Sequence, residues 1–225
     1  MRTKLFFLAI LLAGSVSGFS QVSIGIQGGG VYSSPKIKQT QLFAEDLNAD
    51  SRFNWQAGLV ADLPLGEGNF RFMPELNFVN KGFQTNTSLS YLGQPVTVSG
   101  NSNIGYVELP VNLGYAFDLG GPRLILGAGP YVAYGVTGKN KFKATVGESV
   151  VNTIDSDVKF GSGSDQIKPF DYGANLFAGL LINSGLMLKV NYSMGVANIS
   201  NAPEASYKNS SLGATLVFFV KKAGQ

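Results

Sequence analysis

Residues 106–117 read YVELPVNLGYAF, and every second position is apolar: Val107, Leu109, Val111, Leu113, Tyr115 and Phe117. Between them stand Tyr106, Glu108, Pro110, Asn112, Gly114 and Ala116. A period of two places the two sets on opposite faces of one strand. Strands of about five or six residues are commonest in soluble sheets. This one runs for twelve residues with no polar break on one face. A tilted strand needs roughly 9–11 residues to cross a bilayer. The unbroken face suits lipid, and that requirement constrains the rest of the chain.

The same period recurs. Segments 22–32, 53–63, 70–78, 106–117, 124–134, 172–182, 186–194 and 212–220 each show it, which makes eight strands. The connections alternate between long polar stretches (33–52, 84–102, 136–169 and the medium 196–206) and tight turns (65–69, 118–122 and 183–185). The turns carry the Gly, Asn, Asp and Pro residues that tight turns need. Short turns on one side and long loops on the other mark bacterial membrane barrels, where the short turns are periplasmic. The expected fold is therefore all-β: an eight-stranded antiparallel up-and-down transmembrane β-barrel with both termini periplasmic.

Composition narrows function. Residues 1–20 read as an export signal: Arg2 and Lys4, an apolar run over 5–16, then Gly18-Phe19-Ser20. The barrel domain would occupy 21–225. The whole chain has 17 basic and 14 acidic residues. Without Arg2 and Lys4 the charges nearly balance, so no nucleic-acid footprint is present. Cysteine and histidine are both absent, which removes thiol nucleophiles, disulfides and His-dependent triads. No apolar run beyond residue 20 is long enough for a spanning helix.

The outward aromatics give an independent test, because lipid barrels gather them at the two water boundaries. With the short turns periplasmic, Tyr32, Trp55, Phe78, Tyr134, Tyr172 and Tyr192 fall at the outer ends of the strands. Phe70, Phe72, Tyr115, Phe117 and Phe218 fall at the inner ends. A soluble sandwich has no reason to sort them into two girdles.

Several motifs resemble those of the PorT-like outer-membrane β-barrel domains of Gram-negative bacteria, eight-stranded barrels of the OmpA/OmpX kind. They are Phe72-Met73-Pro74-Glu75-Leu76 with Lys81-Gly82, Tyr106-Val107-Glu108-Leu109-Pro110-Val111, Gly129-Pro130-Tyr131 and Asn209-Ser210-Ser211-Leu212-Gly213. The resemblance implies the barrel fold and an outer-membrane location, and one member of that family is tied to protein secretion. The motifs mark the fold and not an activity. One departure is that Phe218-Phe219 are followed by 220–225, so the chain does not end on the aromatic residue that insertion machinery commonly reads.

Eight strands enclose an interior just wide enough for side chains to fill. The inward positions include Asp62, Arg71, Glu75, Lys81, Glu108, Arg123, Asp171 and Lys189. Buried charges need partners, so these form an expected lumen network. Asp62 is expected to pair with Arg71. Glu75 and Glu108 are expected to approach each other, with Lys81 or Arg123 as the cation. Two carboxylates can perform acid–base chemistry, but a filled lumen offers no cleft, and a structural network is the stronger reading.

Other motifs fail. Gly127-Ala128-Gly129 lacks the third glycine of a dinucleotide loop, and Asp155-Ser156-Asp157 lacks the ligands that would complete a calcium loop. Ser33-Ser34-Pro35-Lys36 contains a bare Ser-x-x-Lys spacing in a loop. Lys139, Lys141 and Lys143 read more readily as a solvated rim than as a lipopolysaccharide contact.

The reading is a non-enzymatic barrel with no cofactor or metal, acting as structure or as a platform through its outer loops. Outer-membrane lipid, lipopolysaccharide at the rim and a protein at the loops are the partners to look for, and nucleic acid is not among them. The alternatives are a narrow porin-like transporter of small solutes and an accessory component of protein secretion.

Overall fold

The computed structural model describes residues 22–38, 49–91, 94–147, 149–183, 185–202 and 205–220. The proposed export signal, residues 1–20, lies outside the described residues. The strands in chain order are β1 (Ser23–Ser33), β2 (Lys36–Lys38), β3 (Asp50–Pro64), β4 (Phe70–Tyr91) and β5 (Gln94–Asp118). They continue with β6 (Arg123–Val146), β7 (Ser149–Asp157), β8 (Phe170–Asn183), β9 (Leu186–Gly195), β10 (Ser206–Lys208) and β11 (Ser210–Val220).

Eight of these close a ring. The order is β1, β3, β4, β5, β6, β8, β9 and β11, and β11 pairs back to β1 from Ile24↔Val220 to Ser33↔Ser211. Every pairing in the ring is antiparallel. Closure pairs each ring strand on both sides and leaves no sheet edge in the ring, and a lipid-exposed strand requires that. Two of the tight turns use the left-handed freedom of glycine: Gly66 at φ 68° and Gly120 at φ 83°. Leu65 N–H donates to Phe70 O at 2.9 Å across the first, and Leu119 N–H to Pro122 O at 3.0 Å across the second.

Alternation sorts the side chains as expected. Ile24, Ile26, Leu59, Leu76, Leu113, Leu126, Leu176, Leu188 and Leu216 are exposed on the outer wall. Their neighbours along each strand turn into the barrel.

The long connections depart from expectation. Stretches 84–102 and 136–169 are not loops over most of their length. β4 and β5 stay paired out to Tyr91↔Gln94, and β6 pairs with β7 from Lys139↔Asp157 to Val146↔Ser149. β5 is 25 residues long, over twice the roughly 9–11 needed to cross a bilayer, so its outer half stands clear. These extensions alternate Ser, Thr and Asn with few large apolar residues. Thr and Val still favour strands there, but no lipid demands the apolar face that makes a strand conspicuous.

The segments at the long-loop end fold over the mouth as a crown. β2 and β10 form a separate two-stranded sheet, Ile37 opposite Tyr207. Ile199 N–H donates to Tyr207 O at 2.9 Å, and Lys168 N–H to Ile199 O at 2.8 Å. Asn201 Nδ2 donates to Gly161 O at 2.7 Å.

Candidate functional site

The lumen is layered. At the short-turn end, Val60, Met73, Ala116, Ile125, Phe177, Leu181, Met187, Val217 and Phe219 form a buried apolar plug. Gly127 leaves the space that the Phe177 ring occupies, and Gly179 the space for the Met187 sulfur. Beside the plug, Arg71 Nε donates to Asp62 Oδ1 at 2.7 Å, and Nη2 bonds the second carboxylate oxygen. This pairing across the β3–β4 hairpin is the one expected from spacing.

The middle layer centres on Glu75. Lys189 Nζ lies 2.7 Å from both carboxylate oxygens and donates to Gln27 Oε1 at 2.7 Å. Gln27 Nε2 donates to Glu75 Oε2 at 2.7 Å, Asn77 Nδ2 to the same oxygen at 2.9 Å, and Asn112 Nδ2 to Oε1 at 3.2 Å. Asn175 then donates to Asn112 Oδ1 at 3.0 Å, and Ser193 Oγ to Asn175 Oδ1 at 3.0 Å. One carboxylate thus ties together side chains from β1, β4, β5, β8 and β9. Lys189 is 3% exposed and Glu75 4%, so neither charge is carried by bulk water.

The third layer is a cage around Lys81, which is 1% exposed. Its Nζ lies 2.5 Å from Glu108 Oε2 and 3.7 Å from Asp171 Oδ2. It also sits 4.6 Å from the Tyr131 ring centroid and 5.5 Å from that of Tyr106, within cation–π range. Asp171 Oδ2 accepts from Asn209 Nδ2 at 2.9 Å and Tyr131 OH at 3.3 Å. Asn209 Nδ2 also reaches Tyr106 OH at 3.2 Å. Asn209 lies between β10 and β11, so this cage fastens the crown to the barrel wall. Above it Tyr106, Tyr131, Ile104, Ala133 and Ile199 form a second apolar cluster, against which Tyr207 packs. Burial pushes the Tyr207 phenol well above its ordinary pKa, and its hydroxyl is one of the buried groups with no partner.

Of the cations expected for Glu75 and Glu108, Lys81 bonds Glu108, while Glu75 bonds Lys189, so each carboxylate takes its own lysine. The reason is register: Glu108 stands opposite Asn77, so Glu75 lies one inward step nearer the short turns. Arg123 joins neither pair; it is half-buried at the short-turn end, in register with Asp118 and Leu181. Gln27, Tyr106, Tyr131 and Asn209 are the members that spacing did not single out. Tyr106 and Tyr131 had a signal: they are the large aromatics on the polar parity of their strands, facing inward instead of toward lipid.

All eleven girdle aromatics lie on the outer wall, exposed or half-buried. Trp55 leans on Phe78 with ring centroids 5.4 Å apart, Phe70 meets Tyr115 edge-on at 5.1 Å, and Tyr115 meets Phe117 at 4.9 Å. Phe170 joins the outer ring beside Tyr134, centroids 5.0 Å apart. On the projecting sheet, Lys139 and Lys141 face Asp157 and Asp155, each pair 3.9 Å apart and open to water. Pairs so exposed contribute little stability. Among the described residues, no group of three or more His, Cys, Asp or Glu side chains is placed to hold a metal ion.

Comparison with known proteins gives three results. No curated protein matches the chain. Several solved barrels are similar to it. Neisserial surface protein A has 12% identity, covers 88% of this chain and 99% of its own, and has a TM-score of 0.41. The attachment invasion locus protein Ail of Yersinia pestis, solved with the heparin analogue sucrose octasulfate, has 12% identity, coverage of 89% and 99%, and a TM-score of 0.38. OprG of Pseudomonas aeruginosa has 14% identity, coverage of 88% and 93%, and a TM-score of 0.38. The family described as outer membrane protein beta-barrel domain matches over residues 15–201, most of the chain. With its closed antiparallel ring of eight strands, the chain belongs to the outer-membrane β-barrel domain family.

Proposed function

We propose that this protein is a non-enzymatic, non-conducting outer-membrane scaffold that presents its crown and projecting sheet to partners. The observation that carries the reading is the filled lumen. Met73, Met187, Val217 and Asn112 are all 0% exposed, which supports a cross-section filled by side chains at two successive layers. A pore would leave its charged lining in water, whereas Glu75, Lys81, Glu108 and Lys189 are buried in bonds to one another and to neighbouring amides. Glu75, held by Lys189 and three amide donors, is a poor acid–base catalyst, which supports the non-enzymatic reading. Reconstitution in planar bilayers tests it: no steady conductance is expected, and large stable steps would replace the scaffold with the transporter.

In this reading the two aromatic girdles lie at the lipid boundaries, the short turns face the periplasm, and the crown faces outward among lipopolysaccharide headgroups. The chain has no cysteine, so single cysteines report topology cleanly. Ser164→Cys in the crown should react with a membrane-impermeant maleimide on intact cells, and Gly68→Cys in a short turn should not. The reverse pattern would invert the barrel. The alternative of an accessory role in protein secretion, to which one member of the PorT-like family is tied, would use the same crown, and proteins recovered with the crosslinked crown from outer membranes would test it.

A further inference from the structure

Between the crown and the inner face of the projecting strands lies a cavity of about 230 Å³. Three aromatic rings shape it: Phe83 on β4, Phe142 on β6 and Tyr207 on β10. Phe83 sits at the centre of this group, 6.3 Å from Phe142 and 6.1 Å edge-on from Tyr207. Ile37, Ile104 and Ile167 supply aliphatic walls. Among the described residues no lining side chain is charged, although lysines flank the lining positions in sequence at 36, 38, 139, 141, 143 and 208. The strand period turns Lys36, Lys38, Lys139 and Lys141 to the opposite, solvent-exposed faces. Among the described residues the polar side chains on the wall are neutral: the Asn140 carboxamide, the Tyr207 phenol and serine hydroxyls, among them Ser102 and Ser206.

We propose that this cavity is a binding site for a small uncharged aromatic molecule of about two fused rings, carrying a single hydrogen-bonding group. Three features define that class. A closed apolar cavity of about 150 Å³ is enough to take benzene; this one has about 230 Å³ and is open on one side, which gives a ligand its way in. Rings meet rings edge-on or offset at about 4.5–7 Å with added attraction, and the Phe83 group already presents such surfaces. Small-molecule sites are mostly apolar with a few placed polar groups, and here those groups are Asn140 and the serines. A charged ligand would lose its hydration and find no counter-charge among the described residues of the wall, which is costly. The lining includes none of the charged lumen residues, and it shares Ile104 and Tyr207 with the second apolar cluster.

The test uses the full-length protein in deuterated detergent with labelled isoleucine methyl groups, titrated with 2-naphthol. The methyls of Ile37, Ile104 and Ile167 should shift and saturate. Those of Ile24 and Ile26, exposed on the outer wall, should drift linearly as the probe partitions into the micelle. The same ring as 2-naphthoate should bind at least tenfold more weakly. Ala205→Trp places an indole in the cavity and should abolish saturation while the outer-wall methyls keep their native positions. The proposal is overturned if the mouth methyls only follow the linear drift, if 2-naphthoate binds as well as 2-naphthol, or if the correctly folded Ala205→Trp protein still saturates. The wild-type titration decides the question even where that variant fails to fold.

Discussion

Removing the cation from the middle layer should do more damage than any comparable change on the outer wall. Lys189→Met keeps the length of the side chain and deletes its charge. The Glu75 carboxylate then remains 4% exposed, held by the Gln27, Asn77 and Asn112 amides alone. Deleting one partner of a buried ion pair costs about 3–5 kcal/mol, because the other charge stays out of water uncompensated. Glu75→Gln leaves the Lys189 ammonium stranded in the same way and should cost a similar amount. The double variant removes both charges and leaves a neutral, hydrogen-bonded layer. It should therefore cost no more than either single change, a coupling of about 3 kcal/mol or greater. A single-variant loss of about 4 kcal/mol is close to a thousandfold in the folding equilibrium. Reversible urea unfolding in lipid vesicles reads all four proteins. Single variants that each cost under about 1 kcal/mol and simply add in the double variant would show that water reaches this layer. That result would also remove the basis for the non-conducting reading.

Three further outcomes follow from the geometry. A closed ring holds all its backbone bonds internally, so unheated protein should migrate differently from boiled protein on a detergent gel; identical mobility would contradict the barrel. Leu113→Arg places a charge on the outer wall near the middle of the crossing and should lower folding into vesicles by about 2–4 kcal/mol, and native yields would reverse the inside–outside assignment of β5. Gly195→Ala should loosen the crown, because an added Cβ would lie 2.7 Å from Asn209 O and 3.0 Å from Tyr131 OH. Faster proteolysis between 196 and 209 with an intact barrel is expected, and unchanged cleavage would show that the Lys81 cage does not fasten the crown.

What could be read directly from the residues was whatever depends on neighbours along one strand. Leu113 and Asn112 are adjacent, so their opposite faces follow from the period of two without any knowledge of the fold. The outward face of each aromatic such as Trp55 or Tyr172, the tight turns at Gly66 and Gly120, and the Asp62–Arg71 pair are local in the same sense, since each lies within one strand or one hairpin. The outer halves of β4, β5 and β6 were not legible, because without lipid against them their strands carry no apolar stripe. The lumen partners were not legible either. Lys189 and Glu75 are 114 positions apart, and the stagger of strands around the closed ring brings them to the same level. A shift of two residues at any interface would keep every face correct and hand each carboxylate a different lysine. The alternating pattern determined which side chains enter the barrel; only closure and register decided which of them meet.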